Sequence, residues 1–150
     1  MDFSELHVAG ISGGKDSTYV LYLCRKMYNL KCLAVTWDNG FLTEHARMNI
    51  KNACTELGVD HVYYGLSEPL LMKLYRYFFI KTGFFCPVCM AGIGVTILRT
   101  QLAFNIPLSI RGTSRRTEEH VHPAFFLEGK KGFLENVLEG TPLKQEAEIL

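Results

Sequence analysis

Apolar residues along this chain fall in short blocks separated by polar, glycine-rich breaks, and the period within each block changes from one to the next. Residues 6–11 (LHVAGI) form a compact apolar run that stops at serine and glycine, the pattern of a strand buried on both faces. Residues 17–28 (STYVLYLCRKMY) instead place Val20, Leu21, Leu23, Cys24 and Met27 at helical spacing, with Arg25 and Lys26 on the outer side. A second buried strand is predicted over 31–36 (KCLAVT), with Asp38-Asn39-Gly40 as its stop. Thr43 caps a helix that runs to Leu57 and ends at Gly58 in a left-handed C-cap. Residues 61–64 (HVYY) make a third strand. This β-α-β-α-β alternation with short loops implies a parallel sheet with right-handed crossovers.

The pattern loosens after residue 65. Residues 68–82 read as a helix with Pro69 in its first turn, 83–89 as a loop carrying Cys-Pro-Val-Cys, and 91–104 as a helix with Arg99 on its polar side. Residues 107–111 (PLSIR) are a fourth strand closed by Gly112-Thr113-Ser114. Beyond Arg116 the character changes, and the last ten residues suit a short helix or a frayed end. The expected fold is therefore α/β, an open parallel sheet with helices on both faces, with residues 1–115 as the main domain and 116–150 as a tail or partial extension of it. No fifth strand is evident, which leaves room for another chain to complete the sheet or for the chain to be part of something longer.

Composition narrows the setting. A chain of 150 residues buries roughly 70% of its unfolded surface, enough for one real core. With 48% hydrophobic and 21% charged residues it reads as globular, and a net charge of +1 supplies no general field toward nucleic acid or a membrane surface. The opening MDFSELHVAG lacks the basic region of a secretory signal, and no apolar run reaches the ~18 residues of a membrane span. Five cysteines, an odd number, argue against a disulfide framework and for a reducing cytoplasm.

The chemistry concentrates in GISGGKDS, residues 10–17, between the first strand and first helix. Such a junction aims backbone N–H groups and the positive helix end at one point, which suits an anion. Gly13 and Gly14 allow close approach, Ser12 and Ser17 offer hydroxyls, and Lys15 adds a positive charge. Asp16 repels phosphate unless it binds Mg²⁺ or a helix N-terminus. The kinase-type loop G-x-x-x-x-G-K-[ST] is absent, because three residues separate Gly10 from Gly14 and aspartate follows the lysine. The dinucleotide fingerprint G-x-G-x-x-G is absent from this stretch too.

SGGKDS does match the S-G-G-x-D-S signature of the PP-loop ATP pyrophosphatases, at Ser12, Gly13, Gly14, Asp16 and Ser17. The chain resembles that family over roughly residues 6–115, in the preceding strand and in the order of the following elements. The resemblance implies a Rossmann-like fold of the adenine nucleotide alpha-hydrolase (HUP) type. It implies that ATP is cleaved between its α and β phosphates, that pyrophosphate leaves, and that AMP passes to a substrate oxygen. The stretch from Ile11 through Ser17 would then bind the nucleotide. Lys15 and the amides of Gly13 to Ser17 would grip the β and γ phosphates, with Mg²⁺ bridging them near Asp16. The resemblance also puts adenine at the end of the second strand, where Thr36 presents main-chain groups, Trp37 either covers the base or packs in the core or an interface, and Asp38 either contacts ribose or substrate or caps the strand end. Gly112 and Thr113 would lie near the α-phosphate, and Arg115 with Arg116 would hold the triphosphate or a polyanionic acceptor.

Cys86-Pro87-Val88-Cys89 has three readings: metal ligands, a redox pair, or a structural pair. Cys24, Cys32 and Cys54 fall on apolar positions and read as core, while His120 and His122 could supply further ligands. PP-loop enzymes that thiolate tRNA resemble this layout, with a CxxC that holds an iron–sulfur cluster or a redox pair. Sugar amidotransferases of the same superfamily resemble the first half and use ammonia. The expected partners are ATP with Mg²⁺, an acceptor that is a small molecule or tRNA, and, at Cys86 and Cys89, a cluster or Zn²⁺. A homodimer or a place in a larger assembly is expected, with no membrane. The rival reading is a nucleotide- or metal-binding subunit without chemistry of its own.

Overall fold

The computed structural model describes residues 5–113 and 131–147. Strands β1 (Leu6–Gly10), β2 (Lys31–Asp38), β3 (Asp60–Gly65) and β4 (Leu108–Ile110) pair in the order β3-β2-β1-β4, every pairing parallel. Helix α1 (Lys15–Tyr22) joins β1 to β2, α2 (Glu44–Leu57) joins β2 to β3, and α3 (Glu68–Thr82) with α4 (Cys86–Phe104) joins β3 to β4. Two further helices, α5 (Lys131–Leu138) and α6 (Leu143–Glu146), follow. The fold is thus α/β with a four-stranded parallel sheet flanked by helices.

The two-residue period of a strand explains how both faces are filled. On β2, Cys32 and Ala34 join Ala9 and Ile11 of the β1 end against Leu21, Cys24, Ile50 and Cys54 from the α1 and α2 side. The alternate residues Leu33 and Val35 join Val8 and pack with Ile97 of α4 on the opposite face. The chain steps one way from β1 to β3 and the other way to β4. Right-handed crossovers therefore demand that α4 lie opposite α1 and α2. Cys24, Cys32 and Cys54 are core residues, and all five cysteines are free.

Helix α1 runs on into a π-helical turn, Leu23–Met27, which the apolar spacing did not foretell. Arg25, expected on the outside, instead folds inward, donating from Nε to the Leu57 carbonyl at 3.2 Å and from Nη1 to the Leu30 carbonyl at 2.7 Å. It thereby satisfies carbonyls at the ends of two elements. The Cys-Pro-Val-Cys stretch, read as loop, forms the first turn of α4, where a proline costs no intrahelical bond. A third core unites Leu70, Leu71, Leu74 and Phe78 of α3 with Val88 of α4, Leu138 of α5 and Ala147. Residues 131–147, expected to be a tail or a partial extension of the main domain, share a core with α3 and α4.

Among the described residues helix α4 is long and apolar enough to cross a membrane by length and composition alone, at a mean hydropathy of 1.3, although Thr96, Arg99, Thr100 and Gln101 interrupt it. Its Val88, Ala91, Gly92, Thr96, Ile97 and Thr100 are buried. That accounts for its apolar character, because one stripe must face the sheet and another α3.

Candidate functional site

Because β1 lies between β2 and β4, the chain reverses direction beside it, and a crevice opens outside the carboxyl ends of β1 and β4. Two loops meet there. A Cβ built on Gly112, in the loop after β4, would stand 3.0 Å from the Asp16 carbonyl carbon and oxygen and from Ser17 Cα. A side chain at this position would push the β4 loop off the first turn of α1 by a few tenths of an ångström.

The β1 loop is held by its own hydroxyls. Ser17 Oγ donates to the Gly14 carbonyl at 3.1 Å and accepts the Ser12 N–H at 3.2 Å. The Ser17 proton is thus engaged, so the 3.1 Å contact between hydroxyls is Ser12 donating to Ser17. From α2, Asn49 Nδ2 donates to the Gly13 carbonyl at 3.1 Å. Gly13 has φ +78, and a Cβ there would lie 2.4 Å from the Ala46 carbonyl oxygen. Gly14 is the N-cap of α1 and makes no side-chain cap bond. The first N–H groups of a helix have no intrahelical acceptor, and the dipole favours an anion beside them.

Lys15 and Asp16 stand at the start of α1 as an ion pair of 2.6 Å, with side chains 88% and 70% exposed. Neither contributes to the wall of the crevice cavity. That cavity, about 240 Å³, is lined by Ile11, Ser12 and Ser17 from the first loop, Thr36 and Trp37 from β2, and Gly112 and Thr113 from the second loop. Cys89 of α4 and Asn39 close it from the far side. Gly13, Gly14 and Lys15 border a separate groove between α1 and α2, near Tyr19 and Asn52. A larger cavity of about 790 Å³, lined by apolar residues such as Leu74, Phe78 and Leu138, contains none of the loop residues.

At the end of β2 the side chains are largely committed within the protein. The Thr36 hydroxyl donates to the Ile11 carbonyl at 2.6 Å. Trp37 is 6% exposed, because its ring lies on Gly92 of α4, where a Cβ would fall 2.1 Å from the indole. It is a buried wall of the cavity instead of an open platform. Asp38 Oδ2 accepts from Arg47 Nη2 at 2.9 Å, and Oδ1 accepts the Gly40 N–H at 3.1 Å. Arg115, Arg116, His120 and His122 lie outside the described residues.

The CxxC pair divides. Cys86 is exposed, whereas Cys89 is half-buried on the cavity wall, its sulfur 3.9 Å from Asn39 Nδ2. Burial pushes the Cys89 thiol up, and the Asn39 donor offsets part of that. Burial likewise raises Cys24, Cys54 and Cys32, the last to about 11. Among the described residues no three His, Cys, Asp or Glu side chains gather as a metal site. Tetrahedral zinc requires four donors, so the two thiols by themselves do not complete such a site.

Three residues that the sequence did not single out lie around the loop: Ala46 and Asn49 meet Gly13, and His61 lies 2.8 Å from the Thr36 hydroxyl. His61 is held below its ordinary 6.5 by burial. The unfolded chain takes up a proton there near 6.5 while the native chain resists it, so stability falls as pH drops below that value. Denaturant midpoints are expected to decline from about pH 7.5 to about pH 5.5 and to decline less in His61→Gln, which cannot titrate. An equal decline in both would remove His61 as the cause.

Neither a scan against protein-family models nor a search of curated proteins finds a match for this chain, so its functional reading rests on the loop and the geometry around it.

Proposed function

We propose that the chain is a PP-loop enzyme of the adenine nucleotide alpha-hydrolase type. It binds ATP at the β1–β4 crevice, splits it between the α and β phosphates, and passes AMP to a substrate oxygen. The observation that carries this reading is the S-G-G-x-D-S loop of residues 12–17 at the strand-order reversal, in backbone contact with Gly112. Donors fixed before reaction lower the energy of a leaving pyrophosphate most as its charge develops. The N–H groups at the start of α1 fill that role, and the Ser12 and Ser17 hydroxyls, engaged with each other and with the Gly14 carbonyl, hold the loop that presents them. Lys15 would turn from its solvent-exposed pairing with Asp16 to the phosphates, and Asp16 would help hold Mg²⁺. Adenylation makes the acceptor oxygen a good leaving group, which nitrogen or sulfur then replaces. The acceptor is a small molecule or tRNA, and five free thiols suit a cytoplasmic setting.

A second reading, a nucleotide-binding subunit that works with another chain, draws on the exposed Leu102 and Leu108 beside the short edge strand β4.

Alkylation of the thiols tests nucleotide binding at the crevice. MgATP at ten times its Kd is expected to slow labelling of Cys89 about tenfold while Cys86 reacts as before. Unchanged labelling of Cys89 at saturating ATP would contradict binding at this crevice.

A further inference from the structure

We propose that His61, on the edge strand β3 and outside the cavity wall, is a positioning residue for the phosphate-binding loop, acting through Thr36; the nucleotide part of this rests on the ATP reading above. The Thr36 hydroxyl has one proton, and the Ile11 carbonyl at 2.6 Å can only accept it. The 2.8 Å contact between Thr36 Oγ1 and His61 Nε2 is therefore an N–H donated by His61. A directed chain results, from His61 Nε2–H to the Thr36 hydroxyl to the Ile11 carbonyl.

The peptide unit at its end joins Ile11 to Ser12. Its carbonyl is held by Thr36, and its N–H is donated to Ser17 Oγ at 3.2 Å. Both ends of this peptide plane are clamped, and the plane begins the loop. Thr36 is 3% exposed, so water does not compete for its hydroxyl. The imidazole is itself braced: it meets the Tyr63 ring edge-on at 4.3 Å, and Arg47 covers Tyr63 at 5.9 Å. His61 thus fixes which way the Thr36 proton points, and through it the direction of the Ser12 N–H.

Two measurements separate this relay from the ATP reading. Nitrogen-15 NMR of His61 in the wild-type protein is expected to show the Nε2–H tautomer; an Nδ1–H tautomer would overturn the relay whether or not ATP binds. Exchange of the Ser12 amide is expected to be slow in wild type and in Thr36→Ser, and faster in Thr36→Val and His61→Leu. Unchanged exchange in the last two would overturn it. Titration with MgATP then tests the consequence. Thr36→Val and His61→Leu are each expected to weaken binding about tenfold, with the double variant no worse than the singles and Thr36→Ser near wild type. Losses that add in the double variant would overturn the coupling. If wild type itself fails to bind ATP, the nucleotide reading falls, and the tautomer and amide exchange still decide the relay.

Discussion

Replacing Gly13 with alanine is expected to destabilise the fold by about 2–5 kcal/mol, the largest effect of any single methyl in the loop. Two costs combine. At φ +78 an L-residue with a side chain is strained, and the new Cβ would stand 2.4 Å from the Ala46 carbonyl oxygen and 2.9 Å from its Cα. Both are backbone atoms in the first turn of α2, so no side chain can rotate away. The turn of α2 must retreat, and the Asn49 bond to the Gly13 carbonyl is stretched with it. A domain is stable by only about 5–15 kcal/mol, so the loss should show plainly as a lower urea midpoint. A shift below about 0.5 kcal/mol, the scale of an ordinary surface change, would mean that the loop does not pack on α2 as described.

Gly112→Ala separates binding from stability. No positive φ is involved here; the constraint is space alone. The added Cβ would meet Asp16 and Ser17 backbone at 3.0 Å, tight enough to push the β4 loop off the first turn of α1 by a few tenths of an ångström. The β4 loop lies at a short edge strand, so the fold can absorb this at modest cost. On the ATP reading proposed above, the donors that would face the phosphates cannot, because transition-state contacts depend steeply on position. Turnover is expected to fall on the order of 10²-fold while the urea midpoint changes little. Wild-type turnover in Gly112→Ala would show that the two loops need not touch during the reaction.

The fold was legible where a residue's neighbours in sequence determine its surroundings. The apolar run of β2 announced a strand buried on both faces, and Thr43 and Gly58 marked the ends of α2 as observed, with Thr43 accepting from the Ala46 N–H at 3.2 Å. The first loop stood out because its glycines and hydroxyls are dense over a few residues. What stayed hidden depends on pairings distant in the chain. Trp37 reads as a free aromatic until Gly92 is seen beneath its ring. Asp38 reads as available until Arg47 is found on it. Asn49 and His61 carry no local sign, since their partners lie on other elements. Cys86 and Cys89 read as equivalent, and only the packing of α4 against the crevice turns one inward and leaves the other in solvent.

The most direct test of the proposed chemistry is phosphorus-31 NMR of ATP and Mg²⁺ incubated with the protein and candidate acceptors, small amide- or carbonyl-bearing molecules and tRNA. Cleavage between the α and β phosphates predicts pyrophosphate in an amount equal to the sum of acceptor-bound and free AMP, the AMP becoming free once ammonium or sulfide is added, with all of these products formed far more slowly in Gly112→Ala. ADP and inorganic phosphate as the products would contradict it.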